Sequence, residues 1–337
     1  MNNNFLIISN DKLFIKHDKI SSDYNDTINI IEGLAEKNHL SFFCRVTYSP
    51  KNYISKKKKY KKFFKFKFFD LKRTDNHKVF MISITPFNFF TLLFLKILND
   101  KTMGYVYLRS DGHKEYYYKY GTIGRVIYSA MFKVVTSTLK VISVSKNLTG
   151  LKKNYSLVNP SEIDKKWFIK RVNPNLYKPK LLYLGRYKKE KGVFSLINII
   201  NSMSTDLKLN IVGTKKKIIS TNKKIKFSKE LSSLRSIISC YDECNIFVLP
   251  SYTEGSPKVI LESLARHRPV IVFEDIKHVK KNFKGVFVCK RNNKDFLNNI
   301  NFILNNYSQI NKKIKKEKIF IKKDFQKQRS KITLWHL

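Results

Sequence analysis

The stretch from Ile246 to Glu262 constrains the fold of this chain more than any other. It opens with a short apolar run, Ile246–Leu249, of the kind found in strands that are buried on both faces of a parallel sheet. Pro250 ends that run. After a brief loop, Ser256 and Pro257 predict the start of a helix, with Ser256 as N-cap and Pro257 at the first helical position. The stretch therefore predicts a strand, a loop and a helix in succession.

The predicted helix start is also a predicted anion site. The first backbone N–H groups of a helix have no partner within the helix, so they bind phosphate readily. Two carboxylates bracket this point, Glu254 before the helix and Glu262 inside it. Phosphate donors flanked by acceptors for sugar or ribose hydroxyls indicate a nucleotide-sugar site.

Apolar runs alternate with segments of helical spacing along the whole chain, which predicts an α/β protein. A length of 337 residues favours two doubly wound Rossmann-like domains facing across a cleft. We expect an acceptor-side domain over 1–175, a donor domain over 176–310 and a basic terminal helix or tail over 311–337. Strands are predicted at 5–9, 40–45, 64–68, 79–84, 104–108, 140–144, 181–184, 207–212, 225–227, 246–249, 270–273 and 286–289. Helices are predicted at 123–135, 193–200, 231–241 and 296–303, after a cap at Asn25 or Asp26, and from 87, 257 and 309.

The charge of the chain is extreme, with 67 Lys and Arg against 25 Asp and Glu and a net charge of +42. Such a balance indicates anionic partners: nucleic acid, acidic lipid headgroups or phosphorylated substrates. Lys, Asn, Ile, Phe and Tyr also share A/T-rich codons, so genome composition is an equally open explanation. A nucleic-acid-binding protein is the less favoured alternative, because the basic residues are spread along the chain without a known binding motif.

Lys51–Arg73 is dense in Lys and Phe, and Phe64–Phe68 within it alternates with period two. It is either an ordinary half-buried strand beside a lysine loop or a patch that lies on an anionic membrane. Met1–Asn10 lacks the features of a signal peptide, and the longest apolar run, Phe87–Leu98, is too short to span a bilayer. The expected location is cytoplasmic, with peripheral attachment to the inner face of the membrane left open. Neither a disulfide framework nor a zinc set is indicated by the four cysteines.

Cationic residues follow the first strand of the second predicted domain. Gly185 and Arg186 come directly after that strand, and Lys191 precedes the next helix. Glycine allows a ligand close to the backbone, arginine can grip phosphate oxygens bidentately and lysine acts as a mobile point charge. Since carboxyl ends of parallel strands share one edge of a sheet, these residues and Glu254 are expected to converge on one crevice.

Together these motifs resemble the retaining GT-B glycosyltransferases of family 4 (glycosyl transferases group 1). The resemblance is specific from about 181 to 273 and loose before it. It rests on Gly185-Arg186, Lys191-Gly192, Ile211-Val212-Gly213, Pro250-Ser251, Glu254-Gly255-Ser256-Pro257 and Glu262. It implies transfer of a hexose, with retention, from a nucleotide sugar to a glycan or lipid-linked acceptor, in assembly of polysaccharide or lipopolysaccharide. It also implies that no metal or other cofactor is needed.

The resemblance assigns a role to each matching residue. Arg186 and Lys191 would bind the diphosphate and stabilise charge on the leaving nucleotide. Glu254 would hold a hydroxyl of the donor sugar and orient the reacting carbon, and Glu262 would accept hydrogen bonds from ribose. Further donor contacts would come from Gly185, Gly255, Ser256 and the backbone N–H groups of Lys258 and Val259.

The first predicted domain departs from the family pattern. Ser9-Asn10-Asp11-Lys12 stands where a glycine-rich loop is usual, and Ser228-Lys229 replaces a glycine expected after Phe227. A histidine contacting the donor sugar is usual after the fourth strand, where this chain has Arg109, Asp111 and His113. Asp111 and His113 are either catalytic residues or parts of a structural turn. A scaffold that binds nucleotide sugar without transferring it is therefore a second alternative.

Overall fold

A computed structural model describes residues 3–16, 19–22, 25–36, 38–46, 62–65, 77–150, 154–158, 161, 163–215 and 218–317. These residues divide into two compact α/β units, the first ending at 158 and the second beginning at 161. Each unit has its own hydrophobic core around its own sheet.

In the described part of the first unit, eight strands form one sheet. They are β1 (Asn3–Lys16), β2 (Lys19–Ser22), β3 (Asn38–Val46), β4 (Lys62–Lys65), β5 (Lys78–Ile82), β6 (Gly104–Leu108), β7 (Lys140–Ser143) and β8 (Tyr155–Leu157). Its helices are α1 (Asn25–Ala35), α2 (Pro86–Leu98) and α3 (Gly112–Thr138). The order β4-β3-β1-β5-β6-β7-β8 is parallel throughout, and β2 pairs antiparallel with β1.

Six parallel strands form the sheet of the second unit, as far as the described residues show it. They are β9 (Lys180–Leu184), β10 (Lys208–Thr214), β11 (Ile225–Lys229), β12 (Ile246–Leu249), β13 (Val270–Phe273) and β14 (Val286–Cys289), in the order β11-β10-β9-β12-β13-β14. The helices are α4 (Val193–Asn201), α5 (Leu234–Glu243), α6 (Lys258–Ala265), α7 (Asn293–Asn305) and α8 (Tyr307–Lys315).

The chain direction across the second sheet locates its ligand crevice. From β9 the chain moves outward to β10 and β11 on one side, then crosses to β12, β13 and β14 on the other. The strand order therefore reverses between β9 and β12. In open α/β sheets, ligands bind outside the carboxyl ends of strands at such a switch point.

The boundary between the two units comes before residue 161, earlier in the sequence than the expected boundary after residue 175. Two buried arginines hold the segment that follows it on the second unit. Arg266 donates to the carbonyls of Trp167, Ile169 and Lys170 at 2.8–2.9 Å. Arg268 donates to the carbonyl of Val172 at 2.7 Å. Residues 163–175 therefore belong to the second unit.

Several helices begin at positions other than those predicted, among them α5 at Leu234 rather than 231 and α7 at Asn293 rather than 296. Pro257 is the N-cap of α6 rather than its first helical residue, because its ψ of 113° is extended, and Ser256 lies before the cap. The helix predicted from 123 begins at Gly112, where the Asp111 side chain accepts a hydrogen bond from the N–H of Lys114. It continues through a local break at Gly121, whose φ is 66°.

Several expectations fall partly or wholly outside the described residues. Of the Lys51–Arg73 segment, only the backbone of β4 is described, and that strand begins and ends earlier than the predicted 64–68. The terminal helix is described as α8, and residues 318–337 lie beyond the described part. Among the described helices, none combines the length and the apolarity that crossing a bilayer requires.

Candidate active site

Lys191 and Glu254 meet at the switch point of the second sheet. The Nζ atom of Lys191 lies 2.7 Å from Oε1 of Glu254, and their side chains are 21% and 15% exposed. Ser251, which is fully buried, donates its hydroxyl to the same carboxylate oxygen at 2.7 Å. Two donors from different loops thus fix the Glu254 carboxylate, as the shared sheet edge predicted.

Backbone contacts hold these two loops together. Lys191 ends a short 3-10 helix after β9, and Gly192 follows in the left-handed conformation, with φ 66°. A Cβ atom on Gly192 would overlap the carbonyl oxygen of Pro250, so only glycine lets the lysine loop approach the end of β12 this closely. The N–H of Tyr252 also donates to the carbonyl of Glu190 at 3.2 Å.

We expect Gly192→Ala to separate the two loops and to destabilise the second unit. The left-handed backbone alone costs an alanine about 1–2 kcal/mol, and the overlap with Pro250 adds to this cost. Urea unfolding measures the loss. Gly33→Ala is the control, because beyond the neighbouring backbone of α1 no atom lies within 4 Å of the added Cβ. Equal unfolding free energies for the two variants would contradict the close approach.

The other residues after β9 that are predicted to bind the donor sugar nucleotide lie at the same edge of the sheet. Gly185 and the exposed Arg186 follow β9 directly, and the Arg186 carbonyl accepts a hydrogen bond from the Tyr183 hydroxyl at 2.7 Å. Burial raises the pKa of Tyr183, and the nearby Glu254 carboxylate raises it further. The tyrosine therefore stays a neutral donor that fixes the backbone from which Arg186 extends.

Glu262 points into the unit rather than into open solvent. It is 8% exposed, and its Oε2 accepts a hydrogen bond from the buried Tyr241 hydroxyl at 2.8 Å. Burial raises the pKa of Tyr241, with the Glu262 carboxylate as the next cause. Tyr241 thus orients the carboxylate, and the predicted contact of Glu262 with ribose stays a prediction.

The remaining predicted residues surround the start of α6. Gly255 is buried, Ser256 is half-buried, and Lys258 and Val259 form the first turn. The first backbone bond of that turn runs from the N–H of Ile260 to the Pro257 carbonyl. The N–H groups of Lys258 and Val259 precede it, at the position where helices bind anions.

Sequence reasoning missed Arg291, which joins the segments that follow β12, β13 and β14 to helix α4. Its guanidinium lies 2.6 Å from Asp275 Oδ2, 2.6 Å from Ser195 Oγ and 3.0 Å from the Pro250 carbonyl oxygen. It also lies over the rings of Tyr252 and Phe273, at 4.1 and 4.3 Å from their centroids. No local pattern marks this arginine, since its partners come from distant parts of the chain.

In the first unit, Asp111 and His113 lie at the start of α3. Asp111 caps the helix, and its Oδ1 lies 4.0 Å from Nδ1 of His113. The His113 ring packs on Tyr128 and Phe132, and burial lowers its pKa. The capping bond gives Asp111 a structural role, and a catalytic role for either residue stays a prediction.

The place of the usual glycine-rich loop is taken by a continuing strand and an ion pair. β1 runs on past Ser9 to Lys16, and Asp11 is 8% exposed. Arg109 donates to both Asp11 carboxylate oxygens at 2.9 and 3.0 Å, and the Thr27 hydroxyl also donates to Asp11. Arg109, expected among the ligand-edge residues, is thus bound to an acid of its own unit.

Comparison with known proteins confirms the fold inferred from the sequence. Over its full length the chain is similar to Anabaena HepE in complex with UDP and glucose, with TM-score 0.67, 11% identity and 100% of both chains covered. It is also similar to sucrose-phosphate synthase from Thermosynechococcus elongatus, with TM-score 0.66, 14% identity and 99% of both chains covered. The chain has the GT-B fold of these proteins.

The similarity to a known family lies in the second unit. Residues 164–321 match the family model described as glycosyl transferases group 1. A stretch of 149 residues is 28% identical to the putative teichuronic acid biosynthesis glycosyltransferase TuaC of Bacillus subtilis strain 168. That match covers 43% of this chain and 38% of TuaC, so it spans less than half of either protein.

Proposed function

We propose that this protein transfers a hexose from a nucleotide sugar to a glycan or lipid-linked acceptor, with retention, in cell-surface polysaccharide assembly. The observation that carries the proposal is the contact of Lys191 with Glu254, at 2.7 Å, at the switch point of a group 1 family domain. The cell-surface role is supported by the similarity to a protein named for teichuronic acid biosynthesis.

The main task of such a site is to stabilise the negative charge that develops on the leaving nucleotide. Arg186 extends from the end of β9, and Lys191 lies on the next turn. In our proposal both bind the diphosphate, and the first turn of α6 adds backbone donors and its dipole. These cationic groups supply the charge stabilisation for which other transferases use a metal ion, so we propose that no metal is required.

In our proposal the two glutamates position the nucleotide sugar, whereas the cationic groups neutralise its phosphate charge. Glu254 is fixed by Lys191 and Ser251, so its carboxylate can hold a sugar hydroxyl in a single orientation. Glu262 is oriented by Tyr241 and would accept hydrogen bonds from ribose. A lipid-linked acceptor would place the enzyme on the cytoplasmic side of the membrane, and we propose that location.

Assays of hydrolysis and transfer over a panel of UDP-, GDP- and ADP-sugars test the proposal. We expect turnover with at least one donor and a large loss in Arg186→Ala, while Arg235→Ala, an exposed arginine on α5, keeps full activity. Turnover that is unchanged in Arg186→Ala would contradict the assignment of the diphosphate site.

A scaffold that binds nucleotide sugar without transferring it is the second candidate. The Asp11–Arg109 ion pair favours it, because that pair takes the place of a loop usual in active relatives. Tight donor binding without product across broad acceptor panels would support the scaffold. Product formation with any acceptor would exclude it.

A further inference from the structure

Arg291, which follows β14, lies where two loops of the candidate site meet. We define the lysine loop as residues 186–192, after β9, and the glutamate loop as residues 250–257, after β12. The Arg291 side chain is 20% exposed, and its Nη1 would stand 3.2 Å from a Cβ atom added to Gly192. The guanidinium therefore lies beside the close approach of Gly192 to Pro250.

Hydrogen bonds tie Arg291 to both loops. Its Nη2 donates to the Pro250 carbonyl at 3.0 Å, at the buried end of β12. Its Nη1 donates to the Ser195 hydroxyl at 2.6 Å, and that hydroxyl donates to the Gly192 carbonyl at 2.8 Å. One guanidinium thus holds the first residue of the glutamate loop directly and the last residue of the lysine loop through a serine.

The guanidinium is itself held in one orientation. Asp275 accepts from Nη2 at 2.6 Å, and the ring centroids of Tyr252 and Phe273 lie 4.1 and 4.3 Å from Cζ. Tyr252 belongs to the glutamate loop, and its N–H donates to the carbonyl of Glu190 in the lysine loop at 3.2 Å. Among the basic side chains, arginine alone has a planar fork of N–H groups whose faces can pack on aromatic rings.

The partners of Arg291 separate its role from that of Arg186. Three of the five N–H groups of the Arg291 guanidinium donate to protein oxygens, and the Asp275 carboxylate matches its charge. Arg186, by contrast, is exposed where β9 ends. Arg291 is therefore suited to fixing the protein around the site, whereas Arg186 is suited to binding an anion.

We propose that Arg291 is a positioning residue that sets the contact of Lys191 with Glu254 by holding the two loops together. Without the guanidinium, the buried Pro250 carbonyl loses this donor, and the Ser195 hydroxyl loses the group that orients it. The loops then shift, and the lysine leaves the position in which the carboxylate holds it. The effect on catalysis rests on the proposed function, whereas the effect on Lys191 does not.

Acetylation of Lys191 in the full-length protein, followed by mass spectrometry without substrate, tests the loop contact. In Arg291→Met, the labelling rate of Lys191 is expected to rise about tenfold or more, as for a lost charge-assisted contact. The controls are Arg235→Met, at an exposed arginine of α5, and Ile300→Val, which loosens the buried face of α7. Both should label like the wild type. Unchanged labelling in Arg291→Met overturns the proposal.

Steady-state transfer assays measure the consequence for the reaction. Arg291→Met is expected to lower kcat about tenfold to 10²-fold, the effect of a misplacement of about 1 Å. The change in KM should be smaller, because Arg186 and the first turn of α6 still bind the donor under the proposed function. In a Lys191→Met background, the same substitution should lower kcat little further, since the two residues act as a unit. Losses that multiply would show a merely structural role and would overturn the proposal.

Arg291→Lys distinguishes the fork from the charge. We expect it to label and to turn over like Arg291→Met, because an ammonium cannot donate to three separated acceptors while packing on two rings. Wild-type labelling and turnover in Arg291→Lys would show that charge alone matters, against the proposal. If the wild type transfers no sugar, the proposed function fails, and the labelling of Lys191 alone decides whether Arg291 positions it.

Discussion

Glu254→Gln is expected to lower the rate of sugar transfer by roughly 10²–10³-fold, as losing one preorganised electrostatic contact does in other active sites. The substitution keeps the shape of the side chain but removes the charge that holds Lys191 at 2.7 Å. Under the proposed function, the lysine then loses its fixed position beside the diphosphate, and the sugar loses a charged acceptor for its hydroxyl. Steady-state assays should show the loss in kcat more than in KM, because both effects concern the reacting geometry.

The pairing itself is tested by a double substitution. Lys191→Met should cause a loss of similar size, and Lys191→Met/Glu254→Gln should lose little more than the more impaired single variant, since residues that act as a unit are not additive. Glu243→Gln, at an exposed acid of the same unit, is the control and should keep full activity. Losses that multiply in the double variant would show that the two side chains act separately.

Arg266→Met is expected to destabilise the second unit by about 3–5 kcal/mol, the cost of breaking a buried ion pair by removing one partner. Arg266 is fully buried. Its guanidinium makes five hydrogen bonds at 2.8–2.9 Å, two to the Asp242 carboxylate and three to the carbonyls of Trp167, Ile169 and Lys170. Those five bonds use every N–H that a guanidinium has. In the variant, the Asp242 carboxylate and the three backbone carbonyls lose the donor of their hydrogen bonds. Urea unfolding should therefore show the full decrease in the free energy of unfolding.

Arg235→Met is the matched control, because Arg235 is exposed on α5, the helix that also carries Asp242. Its unfolding free energy should lie within about 0.5 kcal/mol of the wild type, as for other surface substitutions. A loss below about 1 kcal/mol in Arg266→Met would show that the segment from 163 to 175 is held by other contacts.

The sequence predicts those features that depend on neighbouring residues. Ile246–Leu249 and Gly104–Leu108 are strands with the predicted bounds, because a continuous apolar run is buried on both faces of a parallel sheet. The meeting of Lys191 and Glu254 also follows from the sequence, since parallel strands end at one edge.

The features that sequence reasoning missed depend on contacts between distant residues. In a chain with 67 Lys and Arg, nothing local distinguishes the buried Arg266 and Arg268, or the half-buried Arg291, from arginines at the surface. Arg109 and Asp11 are 98 residues apart, and only the parallel pairing of β1, β5 and β6 brings them together. Ser256 resembles an N-cap, but the extended backbone of Pro257 delays the helix by one residue.

Calorimetric titration with UDP, GDP and ADP tests most directly whether the β9–β12 switch point is a nucleotide-sugar site. We predict that one nucleotide binds to the wild type, and that Arg186→Ala and Lys191→Met each weaken its Kd about tenfold or more, as expected for lost charge-assisted contacts. Arg235→Ala should bind like the wild type. Absence of binding for all three nucleotides, or equal affinities in the wild type and both site variants, would contradict the account.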